Sequence, residues 1–327
     1  RRWETVLRMP LVTWEQGKRA QLTAFALRLM WAERQAGSRL TPHLEALRAE
    51  LRHVLAHAHD DAYAVVEMLA SHDMQLPALQ ALVERHNVHL SLSFAGSAEA
   101  LRHLNAGVSA LEGFHMPRLT SASQTFANAL RPLLRPGDHK LIGSHQRTQG
   151  LIYSKAMAHK LGTPTSIEAV FAPQSLWRFV NRQPGSGTRL LTDHLCAEAG
   201  LDILALSHYD AAVEFMHVAV AASIAAGEAD VGMGVEAAAA THGLGFMPLV
   251  EEDYYLVCLK DQLHSPAIQR IRDALTSPAW GRALNTLPGY HPHQPGDVLS
   301  LTRALPWWAF AKAKQGPAAT KAGAQAR

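Results

Sequence analysis

The chain has 327 residues, 48% of them hydrophobic and 18% charged, with a formal net charge of +3; this is enough apolar material for two or more compact units. A balance so near neutrality permits a nucleic-acid partner without demanding one. Two distant cysteines, Cys196 and Cys258, give neither a disulfide framework nor a zinc site and point to a reducing compartment.

No stretch approaches the roughly 20 apolar residues of a membrane span, and Arg1-Arg-Trp-Glu-Thr5 lacks the features of a secretory signal. A cytoplasmic protein with no membrane partner is expected, its first domain beginning upstream of Arg1. Residues 10–24 predict two short β segments around a polar Gln16-Gly-Lys-Arg19 tip, with Thr23 as the N-cap of the helix that follows. From Leu22 to about Ala58 the pattern is helical. Leu40, Leu44, Leu47, Leu51 and Val54 recur at steps of four and three, a seam that suits a partner helix in a dimer or the chain's own domain.

Beyond His57-Ala-His-Asp-Asp61, β-rich runs alternate with helical patterns, the logic of an α/β protein whose helices cover a largely parallel sheet. Strands are predicted at 62–69, 88–94, 110–115, 140–144, 177–181, 231–235, 246–250 and 254–259. Helices are predicted at 76–85, 98–105, 188–199, 211–226, 267–276 and 279–287. Past Leu305 the small, polar tail is expected to be partly disordered, with Pro306-Trp-Trp308 docking on the body.

The segment Phe179–Leu191 reads as a strand, a Gly-rich turn (Gly185-Ser-Gly-Thr188) and a helix. Free N–H groups of the first helical turn, with Ser186, Gly187 and Thr188, form an anion cradle to which Arg182 and Arg189 add charge. The turn lacks the third glycine of a dinucleotide fingerprint and the Gly-Lys-Ser/Thr of a phosphate loop, which argues against nucleotides. Ser71 and Ser97 follow two other strands and are expected to face the same crevice, since ligands in open α/β sheets bind at the carboxyl ends of strands. Gln146–Gly150 is predicted to be a turn at a lobe crossover, where Arg147, Thr148 and Gln149 offer further donors. Tyr254 and Tyr255 are placed to close the cleft from the return crossover. No Gly-x-Ser-x-Gly elbow or His-Glu-x-x-His helix is present, so no catalytic residues are expected. His53, His57, His59 and Asp60 are expected to be a solvated helix end, so no metal and no resident cofactor are expected.

From Ala62 to Tyr290 the order of motifs Ala70-Ser-His-Asp73, Gly96-Ser97, Leu104-Asn-Ala-Gly107, Gly113-Phe-His115, Gln149-Gly150, Asn181–Arg189, Ala226–Gly232 and Gly289-Tyr290 resembles the periplasmic-binding-protein-like domain of bacterial one-component regulators, related to molybdate- and tungstate-binding proteins. Arg182-Gln-Pro-Gly-Ser-Gly-Thr188 is similar to the Ser-Arg-Gly-Asp-x-Ser-Gly-Thr-His segment of tungstate-binding proteins. Arg182, Ser186 and Thr188 are the contacts it implies, with Ser71 and Ser97. Arg189 stands in place of the histidine and Gln183-Pro184 in place of Gly-Asp, so the ligand is either an oxyanion such as molybdate or tungstate or a larger anionic metabolite or cofactor. Residues 1–56 resemble the end of a winged helix of the ModE or LysR type, which implies DNA contacts from Arg1, Arg2 and Arg8 and from Lys18 and Arg19 at the wing tip.

The resemblance implies a two-lobed type II fold. A partial winged helix at 1–24 and a linker helix at 25–58 precede a ligand-binding domain at 59–298, with lobe I at about 62–143 and 246–290 and lobe II at about 144–245; a tail occupies 299–327. The function implied is that of a ligand-responsive DNA-binding transcriptional regulator, dimeric or larger through its linker helix. The alternative is the solute-binding protein of an oxyanion transporter.

Overall fold

The computed structural model describes residues 2–14, 20–30, 64–206 and 208–308, with single positions 32, 33, 36, 37, 40, 44, 47 and 51 between them. Arg1, Lys18, Arg19, the side chain of Arg2, the stretch from His53 to Asp61 and the tail past Trp308 lie outside the described residues.

At the start of the chain, helix Arg2–Leu7 leads into an antiparallel pair, β1 (Val12–Thr13) and β2 (Gln21–Leu22), in which Val12 faces Leu22. Glu4 ties helix to hairpin, its Oε1 accepting the N–H groups of Leu11 and Val12 at 2.8 and 3.2 Å. Thr23 caps the next helix as its composition requires, its Oγ1 accepting from Ala26 N at 3.0 Å. That helix covers residues 24–30, and every described position onward to Leu51 is helical. Leu40, Leu44, Leu47 and Leu51 are each at least half exposed.

The body is one ten-stranded sheet in the order β4-β3-β5-β10-β6-β9-β7-β8, with β11 and β12 also on β6. Its strands are β3 (Ala64–Ala70), β4 (Val88–Phe94), β5 (Leu111–Pro117), β6 (His139–Tyr153), β7 (Phe179–Arg182), β8 (Val213–Glu214), β9 (Val231–Val235), β10 (Gly245–Leu259), β11 (Tyr290–Pro292) and β12 (Val298–Leu299). β3 runs parallel to β4 and β5, and β7 parallel to β8 and β9. Between these two parallel groups lie the antiparallel 15-residue strands β6 and β10. One end of β10 pairs with β5, and the far end of β6 pairs with β9. The chain thus crosses from one group to the other along β6 and returns along β10.

Three expectations are corrected here. Gln146–Gly150 is the middle of β6 rather than a turn, and the predicted strands at 246–250 and 254–259 are one strand. Polar residues interrupt the apolar pattern of both strands at the same level, where they face each other: Arg147 is in register with Glu252, and Gln146 with Asp253. A gap in each pattern, which suggests a turn in one chain segment, is a buried polar rung between two. The helix expected at 211–226 is also shorter, His217–Ala226, because β8 takes up its start.

Apolar faces close on the sheet in three clusters. One packs helices Leu76–Glu84, Pro266–Thr276 and Pro278–Leu284 on β3, β4 and β10, with Trp280 and Leu90 at its centre. Ser265 and Ser277 cap the second and third of these helices, each with proline in the first turn. Another joins helices Ser97–Asn105, Ser123–Leu130 and Gly187–Glu198 through Leu101, Phe126 and Leu191. The third sets the Ala-rich helix His217–Ala226 on β7 and β9. Trp307 and Trp308 pack on the second cluster, and the guanidinium of Arg131 sits 5.0 Å from the Trp308 ring centre.

Candidate functional site

Loops after β3, β4, β7 and β8 enclose a cleft of about 970 Å3, with Ser71, His72, Phe94, Arg182 and Phe215 among its walls. These loops follow the carboxyl ends of parallel strands, the usual place for a ligand in such sheets. The walls already touch. A side chain begun at Gly96 would stand 2.5 Å from the carbonyl oxygen of Gly185, so the loops after β4 and β7 meet at a contact only glycine allows. Gly185 itself has φ +84°, a left-handed conformation that glycine takes without strain.

Arg182 closes β7 and is 4% exposed. Its Nε donates to Gln183 Oε1 at 3.2 Å and one Nη to the Phe215 carbonyl at 2.8 Å, while the other Nη is buried with no partner. Burial and then the neighbouring charge of Arg147 pull the Arg182 pKa down to about 9, against the weaker pull of Glu252 and Glu214. A buried guanidinium with a free donor is costly unless an anion completes it. Around it the imidazoles are held neutral. His72 falls to about 3 through burial and then the charge of Arg182, and His217 lies well below its ordinary value for the same two reasons. The Nδ1 atoms of both are buried without partners. His72 also packs on Phe94, with ring centres 4.9 Å apart.

Beneath the cleft a buried polar chain joins the two halves of the sheet. Asp73 accepts from Arg147 at 3.0 Å, Tyr290 at 3.1 Å and the backbone of Gln75 at 2.8 Å, and it meets His115 at 3.2 Å and His145 at 3.3 Å. Burial opposes its ionisation, but His145, His115 and Arg147 outweigh burial and hold the Asp73 carboxyl well below its ordinary range. Arg147 donates in turn to Glu252 at 2.9 Å. Gln149 bridges Glu252 at 2.8 Å and Thr188 at 3.1 Å. Ser71 stands 3.4 Å from His115 Nδ1, so Ser71, His115 and Asp73 form a serine–histidine–carboxylate row. Burial and then Arg147 lower the His115 pKa to about 4, which makes the imidazole a weak base for a serine at neutral pH.

The residues expected from sequence fall into groups. Ser71, Arg182 and Ser186 line the cleft. Ser186 is fully engaged as a cap, donating to Gln183 O at 3.0 Å and accepting from Arg189 N at 3.1 Å. Arg147, Gln149 and Thr188 belong to the buried chain below, whereas Thr148 faces the opposite way, its N–H bonded to Gly289 O. Arg189 turns from the cleft onto Asp210 at 2.6 Å and Asp193 at 2.7 Å, with Tyr209 4.7 Å beneath its guanidinium. Tyr254 and Tyr255 close nothing: both are buried in β10, where Tyr254 stacks on His145 and Tyr255 donates to Asp253 at 3.1 Å. Ser97 and Gly187 border a smaller pocket that shares Ala98, Pro184, Gly185 and Ser186 with the cleft. Sequence reasoning passed over His72, Phe94, Phe215, His217 and Glu252. His72, between Ser71 and Asp73 in a motif already singled out, was the most findable of these.

A protein-family model described as PBP superfamily domain matches residues 80–276. The chain belongs to the PBP superfamily. Among relatives of this PBP-like protein, the uncharacterized protein YvgK of Bacillus subtilis (strain 168) is 31% identical over 122 residues, 37% of this chain and 39% of YvgK. The match thus spans about two fifths of that relative's length. An uncharacterized Clostridium pasteurianum protein, from the 5′ region of a 2Fe-2S ferredoxin gene, is 30% identical over 112 residues, 34% of this chain and 97% of that one. Of solved structures, a hydrogen-peroxide-bound cysteine-to-serine mutant of Corynebacterium glutamicum OxyR matches with a TM-score of 0.50 at 13% identity, covering 87% of this chain and 83% of that one, a likeness of fold. Among the described residues no helix is long and apolar enough to cross a membrane, and no cluster of His, Cys, Asp and Glu could hold a metal ion.

Proposed function

We propose that this PBP-like domain binds an anionic organic ligand in its cleft, and that the chain is a ligand-responsive, DNA-binding transcriptional regulator of the cytoplasm. One observation carries the ligand: the buried Arg182 guanidinium, which lines the cleft, keeps one donor without a partner among neutral imidazoles. Size favours an anionic metabolite or cofactor over bare molybdate or tungstate. Five heavy atoms at roughly 30 Å3 each fill about a sixth of 970 Å3, and the walls already meet at Gly96 and Gly185. A cleft this large suits a drug-sized molecule.

The regulator reading draws support from the order helix, hairpin, capped helix at the start of the chain, with Arg8 exposed beside the hairpin. The exposed leucine seam suits a partner helix in a homodimer. Arg1, Arg2, Arg8, Lys18 and Arg19 are the proposed DNA contacts.

A thermal-shift panel of molybdate, tungstate, sulfate, phosphate and organic acids tests the ligand, because a molecule that binds only the native state at about 100 times its Kd adds about 2.7 kcal/mol of stability. An organic acid is expected to raise the melting temperature of the wild type and not of Arg182→Gln. An equal response from both proteins removes the proposal. For the regulator reading, the protein should bind its own promoter DNA in a salt-sensitive manner; no such binding refutes it.

A further inference from the structure

The charges buried around Arg182 do not favour an anion unaided. Arg182 and Arg147 supply two guanidiniums, whereas Asp73, Glu252 and Glu214 supply three carboxylates, and none of the five residues is more than 4% exposed. Arg147 is engaged by Asp73 and Glu252, and the charges of Glu252 and Glu214 both reach Arg182. An anion seated on Arg182 thus adds negative charge where carboxylates already outnumber cations. In a low-dielectric interior that excess is costly unless something neutralises it.

A proton acceptor stands in the wall. His72 lines the cleft between Ser71 and Asp73 and keeps its Nδ1 buried without a partner. Its ring packs on Phe94, with centres 4.9 Å apart, and lies 6.5 Å from the ring of His217. The charges that reach it are known from each side. Arg182 of β7, Arg147 of β6 and His115 of β5 disfavour its protonation, and Asp73, next in the chain, favours it. Helix Ser97–Asn105 brings Glu99 and Arg102, one of each sign, to the same cleft. Burial and then the charge of Arg182 hold His72 neutral, down at about 3, and the same two causes hold His217 neutral. An anion on Arg182 reverses the second cause, since it cancels the repelling charge and adds an attracting one. At the effective dielectric of a protein, a unit charge about 4 Å away changes an imidazole's proton affinity roughly a thousandfold.

We propose that the cleft takes up a proton together with its anion, and that the His72 imidazole receives it. The proposal rests on the reading of Arg182 as the anion's partner and adds a regulation of that site, in which acidification tightens binding. The proton comes from solvent, and neutral imidazole becomes imidazolium beside the anion. Because His72 holds its proton more tightly with the anion bound, anion affinity grows as pH falls toward the value at which His72 titrates alone. By reciprocity the anion raises proton affinity by the same factor.

Benzenesulfonate tests this, because a sulfonate stays ionised throughout the range used and any proton taken up is the protein's. Calorimetry of the full chain in two buffers of different ionisation enthalpy counts that proton. The wild type should take up nearly one proton per anion at about pH 5 and bind roughly tenfold tighter there than at about pH 8. In His72→Gln the uptake should vanish and the two affinities should agree. If circular dichroism shows that His72→Gln has not folded, the assigned ring resonance of His72 in the wild type serves instead, and it should shift to the imidazolium position on adding benzenesulfonate at about pH 5. Uptake that persists in His72→Gln, or a ring resonance that stays at its neutral position, overturns the proposal. Binding without proton uptake also overturns it and leaves the Arg182 reading standing. No binding at either pH, or equal binding by Arg182→Gln, removes that reading and this proposal with it.

Discussion

Replacing Arg182 with methionine should stabilise the ligand-free protein while abolishing its response to anions. The Arg182 pKa is pulled down to about 9, well below the ordinary guanidinium range, and a depression of this order corresponds to about 5 kcal/mol of destabilisation. Because the folded value lies below the unfolded one, this cost is complete below about pH 9 and fades as pH rises above it. Methionine keeps the volume and removes the charge, at the loss of the hydrogen bonds to Gln183 and Phe215. Those bonds offset about 1–3 kcal/mol, which leaves a net gain of at least about 2 kcal/mol. For a domain of this size that is a rise of about 4–8 °C in melting temperature. Urea unfolding at pH 7 in anion-free buffer, repeated with the best anion of the panel, measures both effects. A variant less stable than the wild type, with its anion response intact, would refute the reasoning.

Three further outcomes follow from the buried groups and the close contact. Asp73→Ala leaves Arg147, Tyr290 and His115 without their common partner and removes the carboxylate beside His145, and it should cost about 3–5 kcal/mol in denaturant unfolding; a loss under 1 kcal/mol contradicts this. Glu112, fully buried with one oxygen unpaired, has its pKa pushed up to about 8 by burial, against the opposing pull of its hydrogen bond to Ser109. Its folded value exceeds the unfolded one, so stability falls as pH rises from about 4.5 to 8 and stays low beyond. Glu112→Gln should therefore gain stability over the wild type at pH 9 and lose that advantage by pH 4.5. Gly96→Ala forces the loops after β4 and β7 apart, given the 2.5 Å approach to Gly185; calorimetry should show ligand affinity reduced about tenfold or more with the far-UV spectrum unchanged.

The periods of the sequence made the α/β alternation legible. Strands at Val88–Phe94 and Val231–Val235 and helix Gly187–Glu198 stand within a residue of expectation, because each carries an uninterrupted apolar pattern or a clear cap. The long central strands were not legible. Glu251-Glu-Asp253 looks like solvated loop until Arg147 and Gln146 are seen across from it, information that lies over 100 residues away in the chain. At the candidate site, the strand–turn–helix segment pointed to Arg182 and Ser186, but residue type alone does not tell a free donor from an engaged one. Arg189 has the same chemistry as Arg182 and is consumed by Asp193 and Asp210, partners that only the folded chain brings near. Tyr254 misled for a related reason: an aromatic at a crossover suits a lid or a core equally, and here histidines surround it.

The most direct test of the account is native mass spectrometry of the full chain and of Arg182→Met, purified side by side without denaturation. A PBP-like domain that holds an organic anion on Arg182 predicts a bound organic acid of well over five heavy atoms in the wild type, absent from the variant. The same bound mass on both proteins, or molybdate or tungstate as the only anion retained by the wild type, would contradict it.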